Sequence, residues 1–125
     1  MPEHVHIVLL PNEKIRISRI LLTIKASVAK KALLWIRGHA PAFLERMEDR
    51  QPNGHSHYRF WQRGGGYGRN LRSAYDIREK ILYIHANPVR RGLVATMEDW
   101  YWSSYRAWNT EQNVPIPIDR NSFIR

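Results

Sequence analysis

The stretch Met1-Pro2-Glu3-His4-Val5-His6-Ile7-Val8-Leu9-Leu10 decides how the chain is read. Its apolar run from Val5 to Leu10, closed by Pro11-Asn12, predicts a short buried strand over residues 3–10. Side chains alternate across a strand, so His4 and His6 project from the same face, one pleat apart. Two imidazoles held that way offer two nitrogens to one metal ion. Surface or core histidines fit the same pattern, so the rest of the chain has to supply a third ligand, a substrate and the chemistry.

Bulk properties narrow the classes. With 125 residues the chain is long enough for one domain with a single core. The absence of cysteine excludes disulfides, thiolate metal sites and cysteine nucleophiles, and it suits an intracellular protein. No apolar run approaches the roughly 20 residues that span a bilayer, and no secretory leader pattern opens the chain, so a cytoplasmic location is expected. The formal net charge is +9 and the pI about 10.4, which favours a polyanionic partner. Most of the basic residues fall between Lys14 and Arg91, interspersed with tryptophan and tyrosine. Cations that hold a phosphate backbone beside rings that stack on bases suit single-stranded nucleic acid. A solvated basic surface over an aromatic core gives the same composition.

Outward from the first stretch, a long helix is predicted over about 15–37. Ile17, Ile20, Leu21, Ile24, Val28 and Trp35 form one apolar stripe, with Arg19, Lys30 and Arg37 opposite. Gly38, with Pro41 beyond it, marks the end. Residues 39–68 read as irregular, with a turn at Pro52-Asn53-Gly54. His55-Ser56-His57 is a second His-x-His, without an apolar run to make it a buried strand. Tyr58-Arg59-Phe60-Trp61-Gln62-Arg63 reads as a short strand or extended segment carrying both aromatic and cationic groups. Gly64-Gly65-Gly66-Tyr67-Gly68 suits a phosphate cradle or a hinge, but it lacks the Lys-Ser/Thr of a nucleotide-binding loop.

A second helix is predicted over about 74–87, opened by Ser73 as N-cap with Asp76 in its first turn. Ile77, Ile81 and Ile84 supply its buried face. Tyr83 and Asn87 are four apart and share one side. Pro88 disfavours helical geometry at Asn87, so the helix is expected to stop there. An amide oxygen at that end suits a hard cation and would complete a His4, His6, Asn87 set for Mg²⁺ or Mn²⁺. Read alone, Tyr83 fits a packing tyrosine and Asn87 a helix-terminating residue better than they fit a site. Thr96 with Asp99 predicts a further helix through Trp100, Trp102 and Tyr105, within a C-terminal helix and tail spanning 96–125. Val114-Pro115-Ile116-Pro117-Ile118 should be extended.

Three motifs now stand in order along the chain. Met1-Pro2-Glu3-His4-Val5-His6 resembles the HUH motif of insertion-sequence transposases. Tyr83-Ile84-His85-Ala86-Asn87-Pro88-Val89-Arg90-Arg91-Gly92-Leu93-Val94 resembles the tyrosine motif of their REP-associated tyrosine transposase branch. Asp99-Trp100-Tyr101-Trp102-Ser103-Ser104-Tyr105 resembles that branch's Trp-x-Trp-Ser-Ser block. The resemblance implies an α+β, ferredoxin-like HUH endonuclease fold over residues 1–125, with helices packed on an antiparallel sheet. It also implies a metal-dependent single-strand DNA endonuclease and strand transferase. Tyr83 would be the nucleophile that forms a 5′-phosphotyrosine, and His4, His6 and Asn87 would be the ligands of Mg²⁺ or Mn²⁺. Substrates in this branch are hairpins of repetitive extragenic palindromes. Arg59, Trp61, Arg63, Arg90 and Arg91 are the candidates for holding such DNA, in a cytoplasmic, nucleoid-associated monomer or homodimer. The family places a strand, a helix and a second strand before the first motif, and these are missing here. A start assigned too late, a decayed fragment, or dimerisation that supplies the strands would each account for it. The alternative function is a non-catalytic, truncated nucleic-acid-binding fragment. A third is a structural helical domain whose basic face is only solvated.

Overall fold

The computed structural model describes residues 1, 3–64, 66–109, 114–115, 117–119 and 121–123. Pro2 of the first motif, Gly65 of the glycine run, Ile116 of the extended tail and several other tail positions lie outside the described residues. The chain mixes helix with a small two-stranded antiparallel sheet, an α+β composition. Residues 11–67 form one compact unit, and residues 1–10 with 68–125 form another. No helix of the described residues is long and apolar enough to cross a membrane.

The 11–67 unit is built on α1 (Ile17–His39), followed by a 3₁₀ segment (Pro41–Met47) and a hairpin of β1 (Glu48–Arg50) and β2 (Ser56–Tyr58). The helix runs through Gly38 and stops where Ala40 takes φ −147°. Gly38 is therefore not the terminator. Proline crowds the residue before it out of the helical region, and Pro41 does this to Ala40. The packed side also differs from the expected stripe. Ile36 is buried and Ala29, Ala32 and Leu33 are half-buried; of the expected stripe Ile20 and Leu21 are half-buried too, whereas Ile17, Ile24, Val28 and Trp35 are exposed, Trp35 at 59%. The two apolar rows lie about a quarter-turn apart on a helix with 3.6 residues per turn. The indole Nε1 of Trp61 donates to the Lys25 carbonyl at 2.8 Å, and the Arg37 guanidinium lies over the Tyr58 ring. These contacts turn the Ile36 row inward.

The hairpin corrects the irregular reading of residues 39–68. Glu48 pairs with Tyr58, Asp49 with His57 and Arg50 with Ser56. His57 therefore lies in β2, and the strand ends where the aromatic-cationic segment is expected to begin. Gly54, at φ +83°, closes the turn, as the Pro-Asn-Gly signal predicts. Main-chain pairing, with polar side chains on both faces, needs no apolar alternation to form, so no periodicity announces it.

In the other unit, α2 (Ala74–Arg90) begins as expected: the Ser73 hydroxyl accepts from the Asp76 N–H at 3.1 Å. Ile77, Ile81 and Ile84 are half-buried. The predicted stop at Asn87 is wrong, because the helix carries Pro88 inside it and continues to Arg90. Its real terminator is Gly92, at φ +66°. The Gly92 N–H donates to Val89 O at 2.9 Å and the Leu93 N–H to Pro88 O at 2.9 Å, the paired bonds of a Schellman motif. A Cβ at Gly92 would meet nothing within 4 Å, so substitution strains only the backbone. Gly92→Ala is expected to cost about 1 kcal/mol of stability. Chemical denaturation followed by circular dichroism checks this, and an unchanged midpoint would refute it.

Past α2 the expected single helix is broken. Thr96 N–H and Oγ both donate to Asp99 Oδ2, at 2.9 and 2.8 Å, but only one 3₁₀ turn (Met97–Asp99) follows. Trp100 is extended at ψ 95°, and the Ser103 hydroxyl accepts from the Tyr105 N–H to open α3 (Tyr105–Asn109). Ser and Asp compete with the helix ladder through such local bonds, which explains the split. His85, 4% exposed, pairs through Nε2 with Ser104 Oγ at 2.9 Å and meets the Tyr105 ring edge-on, alongside buried Ala86 and Ala107.

Burial holds the His85 imidazole below its ordinary range. The folded chain then binds fewer protons at this site than the unfolded chain. The resulting stability is full above the ordinary histidine value near 6.5 and is lost as pH falls through the lowered one. The melting temperature is expected to drop on acidification through this range, and His85→Gln should flatten the dependence. An equally steep profile in that variant would assign the effect elsewhere.

The predicted strand over residues 3–10 is also corrected. Residues 3–10 contain no ladder, and Val5, Ile7, Leu9 and Leu10 are exposed. A strand exists only through a partner strand. Among the described residues the only pairing joins β1 to β2.

Candidate metal and tyrosine site

Although it joins no sheet, the first segment brings its histidines together. His4 Nε2 and His6 Nε2 lie 3.0 Å apart with their rings edge to face. Asn87 sits 81 positions away in sequence, and its amide Nδ2 donates to the same His6 nitrogen at 2.7 Å. Asn87 is held there because α2 continues past it, with its carbonyl accepting from the Arg91 N–H. Two bare imidazole nitrogens at 3.0 Å repel each other unless a proton or a cation lies between them. Partial desolvation, followed by the charges of His4 and the N-terminus, pushes the His6 pKa below its ordinary value. Turned over, the Asn87 amide presents an oxygen in place of its nitrogen. Among the described residues no group of three or more His, Cys, Asp or Glu side chains converges. The convergent set here is two imidazoles and an amide.

Tyr83 stands one turn before Asn87, 41% exposed, with its ring 5.9 Å from that of His6. Lys80 Nζ lies 5.1 Å from the centre of the tyrosine ring and the Arg90 guanidinium 5.6 Å. Helical spacing explains this convergence, since Lys80, Tyr83, Asn87 and Arg90 follow at three, four and three residues. Arg91 points elsewhere, to Glu3 Oε1 at 2.6 Å. The same oxygen is 3.6 Å from His4 Nδ1.

The other DNA candidates belong to the 11–67 unit. Arg59 and Arg63 both turn to Asp49, with His57 Nε2 at 3.3 Å from the same carboxylate. The hydrogen bond from Arg63, then that from Arg59, hold the Asp49 carboxyl below the usual carboxylate range. The Trp61 indole is docked on α1 and half-buried. This unit nevertheless carries eleven lysines and arginines against four acidic residues. It also displays Trp35 stacked on His39, with ring centres 4.6 Å apart and planes within 7°.

Glu3, Lys80 and the Trp35–His39 stack are absent from the sequence-derived site. Lys80 is findable as the residue one turn before Tyr83. Glu3 has no signal beyond adjacency to His4. Compared with family models, with characterised proteins and with solved structures, the chain matches none.

Proposed function

We propose that this chain is a metal-dependent, single-strand DNA nicking and strand-transfer domain of the HUH single-tyrosine type. The observation that supports this most is the meeting of His4, His6 and Asn87 at 2.7–3.0 Å with the Tyr83 ring against His6. The donor set fits a divalent ion: two imidazoles and one amide suit Mn²⁺, whereas Mg²⁺ prefers an all-oxygen shell. When bound, such an ion neutralises charge on a phosphodiester.

The chain's own residues then do the following. The Tyr83 hydroxyl gives up its proton and its oxygen attacks phosphorus. The P–O3′ bond breaks, the departing 3′ oxygen takes up a proton, and the phosphate remains on the 5′ side as a phosphotyrosine. Lys80 and Arg90, beside the ring, supply positive charge for the incoming phosphodiester. The ester keeps the energy of the broken bond, so a 3′-hydroxyl can reverse the step without ATP. The basic 11–67 unit supplies the attraction for the polyanion, and single-stranded hairpin DNA is the substrate. The reading carries with it a ferredoxin-like sheet and a cytoplasmic, nucleoid-associated location.

The thin core favours a second reading. Among the described residues only Ile36, Ala86, Pro88 and Ala107 are buried apolar side chains, and none of the large ones is fully buried. A nucleic-acid-binding fragment that keeps the motifs without turnover would look like this. Labelled single-stranded hairpins incubated with the chain and Mn²⁺, with and without EDTA, separate the two. A covalent protein–DNA adduct that disappears with EDTA supports the first reading. Salt-sensitive binding without any adduct supports the second.

A further inference from the structure

We infer that Glu3 and Arg91 form a positioning relay that fixes the tautomer of His4; the inference rests on the proposed metal site. Glu3 Oε1 is 2.6 Å from the Arg91 guanidinium and 3.6 Å from His4 Nδ1, while His4 Nε2 faces His6 Nε2, the nitrogen that the Asn87 amide also meets. An imidazole that ligates through one nitrogen needs its proton on the other, and a carboxylate facing that other nitrogen favours this tautomer. At 3.6 Å the carboxylate acts on Nδ1–H through charge, being beyond hydrogen-bond length. Arg91 caps α2, and its N–H donates to the Asn87 carbonyl at 3.1 Å. One residue thus belongs to the turn that carries Asn87 and also grips the carboxylate behind His4. The relay links two donors that are remote in sequence, and it reassigns Arg91 from DNA contact to support of the metal ligands.

The pair is half-exposed, with side chains 55% and 46% accessible, so its worth lies in orientation and its contribution to stability is small. The test is Mn²⁺ binding by the full chain, read from the free-ion electron paramagnetic resonance signal. Glu3→Gln is expected to weaken binding about tenfold. Arg91→Gln should weaken it about threefold, Arg91→Lys should restore most of that loss, and Arg91→Gln should add nothing in the Glu3→Gln background. Unchanged affinity in Glu3→Gln, or full additivity of the two changes, would overturn the relay. Equal loss of hairpin affinity from Arg91→Gln in both backgrounds, with Mn²⁺ binding intact, would return Arg91 to the phosphate contacts.

A second readout keeps the relay distinct from the metal reading. In the metal-free chain, ¹⁵N shifts of His4 should show a larger Nδ1–H share in the wild type than in Glu3→Gln. If the wild-type chain takes up no Mn²⁺, the metal reading fails while these shifts still decide whether Glu3 sets the tautomer. Identical shifts in both proteins would remove the relay even if Mn²⁺ binds.

Discussion

Tyr83→Phe is expected to abolish covalent adduct formation, by about ten-thousandfold or to below detection, while hairpin affinity stays within about twofold. The substitution removes one oxygen and keeps the ring. The edge contact with His6 and the cations Lys80 and Arg90 over the ring all persist, so the local fold has no reason to change. The melting temperature should accordingly hold within about 1 °C, since no buried hydrogen bond is lost at this half-exposed position. The sharper control lies in the other tyrosines. Tyr67 and Tyr75 are exposed at 91% and 75%, well above Tyr83 at 41%. A phenol that reacted merely because it is accessible would be one of those two, or Tyr101 at 55%. Mass spectrometry of the adduct should place the nucleotide on the Tyr83 peptide. An adduct that survives Tyr83→Phe, or maps to Tyr67, Tyr75 or Tyr101, would refute the assignment.

How much of this was legible in the sequence depended on the range of the interactions involved. The Ser73 cap, the Ile77–Ile81–Ile84 face and the turn at Gly54 are local, and their signals lie within a few residues. The end of α2 was misread because Pro88 is a visible breaker, whereas the decisive bonds close around Gly92. On α1 two apolar rows compete, and the periodicity favours the row containing Trp35. Only tertiary contact, through Trp61 on the Lys25 carbonyl, turns the Ile36 row inward instead. The strand over residues 3–10 failed for the same kind of reason, because alternation predicts a face but not the neighbour that must pair with it. The pairing of His4 with His6 survived that failure, since it needs only extended backbone.

His6 carries the second large expectation. Among the described residues it is the one side chain that touches His4, Asn87 and Tyr83 together, at 3.0 Å, 2.7 Å and a ring separation of 5.9 Å. His6→Ala should therefore lower Mn²⁺ affinity about a hundredfold or more, beyond the loss typical of an outer-shell partner. It should eliminate the adduct even though Tyr83 is intact. Asn87→Ala offers the informative comparison. Water can replace an amide oxygen on a hard ion, so its metal affinity should fall only about tenfold. Asn87 is buried within α2, however, whereas His6 lies on the exposed first segment. The stability costs should then run the other way, about 1 kcal/mol for Asn87→Ala and within about 0.5 kcal/mol for His6→Ala. Mn²⁺ titration beside thermal melting reads both quantities on the same samples. Opposite rankings for metal affinity and stability are what a ligand set predicts, because packing alone would make the buried residue dominate both. If His6→Ala leaves Mn²⁺ affinity unchanged, the two histidines are held together by a shared proton, and the ion, if one binds, sits elsewhere.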